Sequence, residues 1–414
     1  MFFWDKDFGK VVGRQRWYML LIILLVTVAS YGFNYVNWTF GNSIFGFLTI
    51  LLSYYCLVNL HSLTRCNFGI IVLIFIFLPF FAIINSYTIY GQSVFIGMKS
   101  ILPYAFVWVL YFALHILKVK ESTILKAFLL ISLFVVALQI IQQFTYPNVY
   151  FGIKNQKEAL EYGIQETADM RNGLLRFRIL GMEYTVPIII LLFLWIMNKA
   201  EMRLILLFTL LLTSVYLTLT RQLIFSTIFT IIFTYFLEFK KVKIWFIIIG
   251  ILSVIILFLN YDSLFGEFVN TTRNEANENN IRVIAASFFW NDSLRSWSTF
   301  LFGYGPPSSE GSFHNYVEQL SLRGLYSSDV GFIGVLWRFG ILYVILSFYL
   351  LFTVFFKLKE KIPTYIRLFV VFVSVISIMI FPFGANYVKT LVWPFLLYIC
   401  DLHINKSPLI MHTK

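Results

Sequence analysis

The sequence predicts an all-α integral membrane protein, a single polytopic domain over residues 1–414, and three observations predict it. Of the 414 residues, 59% are hydrophobic and 13% charged, about half the charged share of an ordinary soluble domain, too little to cover a water-facing surface. Apolar runs able to cross a hydrocarbon core about 30 Å thick, which takes roughly 20 helical residues, recur all along the chain. Lys and Arg gather in alternate connections between those runs.

Taken in order, Lys6, Lys10, Arg14 and Arg16 precede the first run, 17–36, and set the N-terminus on the cytoplasmic side. That run is too long for a signal-peptide core and reads as an uncleaved anchor. Runs 44–60, 68–86, 97–117 and 123–145 follow, then a polar stretch at 146–178. The second group comprises 179–197, 204–219, 223–237 and 244–259 and ends at a longer polar stretch, 261–329. Runs 339–356, 368–383 and 388–399 complete about twelve spans. Counting sides from the N-terminus, the inside connections hold Arg65, Lys118, Lys120, Lys199, Arg203, Lys240, Lys241, Lys243, Lys357, Lys359, Lys361 and Arg367. Lys406 and Lys414 place the C-terminus inside too, as an even number of spans requires. The net charge of +12 is mostly these inside loops facing anionic lipid headgroups, so membrane lipids rather than nucleic acid are the expected partner. Cys56, Cys66 and Cys400 fall at or near the cytoplasmic side, where no disulfide is expected.

Both long polar stretches fall outside on this count, and a loop as long as 261–329 calls for a role beyond connection. It opens with a solvated run, 270–280, followed by an amphipathic stretch, 281–300, with Ile281, Ile284 and Phe288 at helical spacing. That helix is expected to end at Gly303-Tyr304-Gly305, before Pro306-Pro307. Ser312-Phe313-His314-Asn315-Tyr316 then opens a further helix to about Leu322.

No P-loop, dinucleotide-binding glycine turn, HExxH or zinc-spaced Cys/His cluster is present, so neither a metal nor a cofactor is expected. What remains is polar residues where lipid makes them costly. Arg221 stands between two spans at the outer surface, either as an interfacial anchor or as an anion clamp. Asp329, Glu183 and Arg338 lie near outer span ends, where capping or mutual pairing competes with function. Arg282 reads equally as a solvated charge, and His314, the one histidine of five in an outside loop, as a structural residue.

Together these features resemble the bacterial O-antigen polymerase and ligase superfamily, membrane glycosyltransferases that elongate or transfer lipid-linked glycans. The resemblance is carried by the span count, the large late loop, Arg178-Ile179-Leu180-Gly181 with Pro187, and Leu219-Thr220-Arg221. It continues with Arg282 followed by Gly303-Tyr304-Gly305, His314-Asn315-Tyr316, Asp329-Val330-Gly331-Phe332 and Phe339-Gly340-Ile341-Leu342. It implies a GT-C-like fold in the bacterial cytoplasmic membrane. It also implies metal-independent inverting glycosyl transfer at the outer face, with an undecaprenyl-diphosphate-linked glycan as donor and acceptor and a chain-length regulator protein as a further partner. In that chemistry the diphosphate leaving group falls to Arg221 and Arg282, with Arg178 third, because guanidinium binds phosphate bidentately and stays charged. His314 is the implied base toward the acceptor hydroxyl. Asp329, Asn315, Tyr316 and Tyr304 are the implied substrate contacts, although loop packing explains the tyrosines as well. Asp329-Val330-Gly331 after the His-Asn segment looks more like polymerases than ligases. A lipid-linked oligosaccharide flippase is the competing class, expected to carry charges deep within its spans.

Overall fold

The computed structural model describes residues 13–29, 38–63, 66–145, 168–171, 174–177, 182–238, 281–307, 310–378, 380–384 and 386–406. The chain there is helical and membrane-embedded: Gly69–Tyr90, Val94–Leu117, Glu121–Thr145 and Gly331–Lys357 are each long and apolar enough to cross a bilayer. Shorter apolar helices accompany them. The expected span 244–259 lies outside the described residues.

The first helices are α1 (Gly13–Ala29), α2 (Trp38–Val58), α3 (Gly69–Phe77), α4 (Ala82–Tyr90), α5 (Val94–Leu117) and α6 (Glu121–Thr145). A single 3-10 turn at Leu78–Phe81, forced by Pro79, joins α3 to α4, so the two make one span. Gly91 closes α4 in the left-handed region with φ 65°. Next come α7 (Met182–Asn198), α8 (Met202–Leu217) and α9 (Arg221–Glu238). The polar stretch before α7 contains a two-stranded antiparallel hairpin, β1 (Ala168–Arg171) with β2 (Leu174–Phe177), which the sequence reading did not anticipate. Gln143 of α6 binds it by both amide atoms, donating to the Leu175 carbonyl at 2.6 Å and accepting from the Leu175 N–H at 2.9 Å.

The C-terminal third holds α10 (Ile281–Ser293), α11 (Trp297–Phe302), α12 (Ser312–Leu322), α13 (Gly331–Phe352), α14 (Thr364–Ile376), α15 (Tyr387–Thr390) and α16 (Val392–Lys406). A π-turn, Thr353–Lys357, extends α13. Through the middle of the bundle runs a column of buried rings: Phe75 stacks on Trp108 with centroids 4.4 Å apart, and Phe383 on Trp393 at 4.6 Å. Such a column fills volume with few rotatable bonds and pins α3, α5 and α16 together.

Two expectations need correction. The amphipathic stretch 281–300 is two helices, because Ser296 caps a new start: its hydroxyl accepts from the Thr299 N–H at 3.1 Å while Thr299 Oγ1 accepts from the Ser296 N–H at 3.0 Å. The packed face of α10 is also offset by one residue. Ala285 and Phe289 are buried, whereas Ile281 and Ile284 are exposed. Apolar spacing cannot tell a core-facing stripe from a lipid-facing one.

Candidate functional site

The site is built around a break in α13. Gly340 has φ 77° and ψ 173°, an extended mirror-image conformation open to glycine alone, and it interrupts the helix. The break frees carbonyls that need donors, and the turn after α11 provides them: the Tyr304 N–H donates to the Trp337 carbonyl at 2.9 Å and the Gly305 N–H to the Arg338 carbonyl at 2.6 Å. The approach is close on both sides. A Cβ at Gly303 would sit 2.4 Å from the Arg338 carbonyl carbon, and one at Gly340 would sit 2.1 Å from the Leu301 oxygen. Asn85 of α4 holds the turn from the other side, donating to the Ser298 carbonyl at 3.0 Å and the Gly303 carbonyl at 2.7 Å. The motifs around Gly303 and Gly340 are therefore one contact.

Against this frame the structure gathers several of the predicted residues. Arg282 is half-buried near the start of α10, three and seven residues ahead of the buried Ala285 and Phe289 and so on their side of the helix. Gly324 passes so close to α10 that a Cβ there would lie 3.2 Å from Ile281. This brings the start of α10 beside the 3-10 turn Ser327–Asp329, which packs on α13. Arg338, 8% exposed, points into the same junction and donates to Ser327 Oγ from Nε at 3.1 Å and from Nη2 at 2.8 Å. Arg282, Asp329 and Arg338 are thus carried by three elements, α10, the turn and α13, that pack on one another.

His314 and Asn315 lie in the first turn of α12, His314 half-buried and Asn315 exposed. The helix is seated by Phe313, whose ring is 4.9 Å from Tyr90 of α4, and by Tyr316, 4.7 Å from the same ring. Tyr304 is buried, its hydroxyl donating to the Asp292 carbonyl at 3.0 Å, while the Asp292 carboxylate accepts from Trp337 Nε1 at 2.8 Å. No face of Tyr304 is open to a sugar ring, so in this arrangement it holds the loop together, and Tyr316 keeps partial exposure. Burial first, and the Asp292 charge second, raise both phenols above the usual tyrosine range.

Arg221 begins α9, which packs chiefly against α7, α8 and α14, and thus enters from a different group of helices than Arg282. Arg178 lies outside the described residues. Glu183 opens α7, where its Oε2 is buried without a hydrogen-bond partner.

The chain matches no family model and no curated protein. The functional reading therefore rests on the residues themselves.

A second polar assembly, missed from the sequence, occupies the opposite end of the bundle. Asp401 of α16 is fully buried and accepts from Asn67 Nδ2 at 2.9 Å and from the Tyr111 hydroxyl; His115 Nε2 lies 3.0 Å from its Oδ2. Two residues on, His403 pairs with Glu121 at 2.8 Å, and Glu121 also accepts from the Tyr365 hydroxyl at 3.2 Å. Burial, and then the charge of Asp401, push the Cys66 thiol up to about 11. The available signal was four ionisable residues, His115, Glu121, Asp401 and His403, at the ends of apolar runs. Among the described residues no group of three or more His, Cys, Asp and Glu side chains is placed to hold a metal ion.

Proposed function

We propose that the chain is a membrane glycosyltransferase that polymerises undecaprenyl-diphosphate-linked repeat units into surface polysaccharide at the outer face of the bacterial cytoplasmic membrane. The observation that carries this reading is the mutual packing of α10, which bears Arg282, the Ser327–Asp329 turn and the broken α13, whose Arg338 is held on Ser327. A diphosphate leaving at a membrane surface needs fixed cations, and guanidinium meets it with two parallel donors that never deprotonate. In this reading Arg282 and Arg221 clamp the diphosphate, Arg178 assists, and His314 takes the proton of the attacking hydroxyl as the new glycosidic bond forms at the anomeric carbon. The electron pair of the broken bond leaves on the diphosphate. Asp329, Asn315 and Tyr316 orient the sugars.

The test is glycan chain length in a deletion strain carrying plasmid-borne variants. Loss of the chain is expected to leave single repeat units on the surface acceptor, whereas unattached polymer points to a ligase. Arg282→Ala and Arg221→Ala are expected to behave like the deletion at normal protein levels. The second reading, a lipid-linked oligosaccharide flippase, is favoured by one observation: Arg338 and Asp401 are ionisable residues buried among apolar helices. It predicts donor trapped on the cytoplasmic leaflet in the deletion strain, with no repeat unit outside.

A further inference from the structure

The helices α10 and α11 do not stand clear of the bundle. Phe302 of α11 stacks on Phe81, with ring centroids 5.1 Å apart. Phe81 lies within the span Gly69–Tyr90, nine residues short of its end at Tyr90, about 13 Å along a helix axis. Asn85 of the same span holds Ser298 and Gly303. The segment therefore runs beside the last part of a transmembrane span, at a depth where lipid surrounds the bundle.

Its outward face suits that place. Val283 and Trp290 are two turns apart on α10 and exposed, Leu294 follows at 50% exposure, and Trp297 at the start of α11 is 81% exposed. The opposite faces of the same helices bury Ala285, Phe289 and Thr299. Exposed tryptophans on a short helix are costly in water but favourable at the boundary of headgroups and acyl chains, where the ring is half solvated. Arg295, exposed between Leu294 and Trp297, brings the cation that headgroup phosphates accept. On the span that the segment packs against, Phe81 of the 3-10 turn and Ile84 and Tyr87 of α4 are exposed as well.

We propose that the Val283, Trp290, Leu294 and Trp297 face is seated in the phospholipid bilayer at the Tyr90 end of the bundle, with Arg295 on lipid phosphates. The segment is a membrane-dipping element rather than a solvated loop. This stands apart from the glycan chemistry, since it rests on exposure and depth alone.

The test uses the full chain in nanodiscs of phosphatidylcholine and phosphatidylglycerol, with a nitrobenzoxadiazole label on Trp297→Cys, on Leu294→Cys and, as the solvated control, on Glu318→Cys of α12. Labels at 297 and 294 are expected to emit blue-shifted light and to be quenched several-fold more by nitroxide-bearing phospholipid than by a water-soluble nitroxide, with the order reversed at 318. Stronger quenching from water at 297 and 294 overturns the proposal, and so does shielding from both quenchers, which identifies protein as the cover. Trp297 is 81% exposed and its ring contact is an edge-on one to Phe300 at 6.4 Å, so its replacement removes little packing, and Leu294 repeats the measurement at an independent position.

Discussion

The two ends of the bundle handle buried polarity in opposite ways. At the Asp401 end, carboxylates meet histidines and tyrosines side chain to side chain: His115 with Asp401 at 3.0 Å, His403 with Glu121 at 2.8 Å. At the Gly340 end backbone groups enter the polar contacts, with Asn85 and Arg338 supporting them. A broken helix offers the carbonyls of Trp337 and Arg338, a glycine turn meets them, and Arg338 reaches the hydroxyl of Ser327. The first arrangement binds distant helices through paired side chains. The second holds guanidinium groups near a backbone discontinuity, the kind of place where membrane proteins build substrate sites, since irregular backbone at membrane depth persists only where protein or a cavity lines it.

The harshest way to break this contrast is Gly340→Ala. The residue has φ 77°, and its Cβ would stand 2.1 Å from the Leu301 oxygen. Strain and clash together are expected to cost roughly 5 kcal/mol or more, read as loss of the monodisperse peak on size-exclusion chromatography. At the other end, Asp401→Ala strips a buried carboxylate from Asn67, Tyr111 and His115. The expected loss is about 3 to 5 kcal/mol in the unfolding of detergent-purified protein, and equal melting temperatures for variant and parent would dissolve the contrast from that side.

The next effect is on activity. Arg282→Lys is expected to retain about one hundredth of the polymerisation rate, roughly 3 kcal/mol, because the ammonium keeps charge but loses the planar fork. Its stability should be unchanged, and near-normal polymer length at matched expression returns Arg282 to a structural role. Smaller again is His403→Ala. Its pair with Glu121 is partly exposed, 35% and 17%, so solvent screening holds the loss to about 1 kcal/mol at most. The mildest probe is chemical: with its thiol near 11, Cys66 is expected to alkylate at pH 8 on the order of a hundredfold more slowly than a free cysteine introduced at Glu318, as followed by mass spectrometry.

Hydropathy made the spans legible because a transmembrane run is a local property, and runs such as 97–117 and 123–145 sit inside α5 and α6. The turn at Gly303 and the helix to Leu322 were legible too, since glycine and proline punctuate a chain locally. What escaped is what depends on partners. Ile281 and Ile284 satisfy helical spacing, yet in lipid an outward face is as apolar as an inward one. The expected span 339–356 starts at the break at Gly340, and the helical turns that precede it from Gly331 were not read as helix. His115 and Asp401 lie 286 residues apart, and neither signals the other along the chain. Of the candidate residues, Arg282 and Asp329 were read on one loop, and Arg338, read as capping or pairing at a span end, stands on a helix that packs against both α10 and the Ser327–Asp329 turn.

The paired carbonyls of Trp337 and Arg338 also bear on how the chain is made. As α13 leaves the ribosome, its break presents two unpaired acceptors to the bilayer, each costing several kcal/mol in hydrocarbon. Their donors, Tyr304 and Gly305, have already been synthesised about thirty residues earlier. The turn and the broken helix are thus expected to meet during insertion, with the segment from α10 to α13 entering the membrane as one cooperative unit rather than as a span followed by a docking loop.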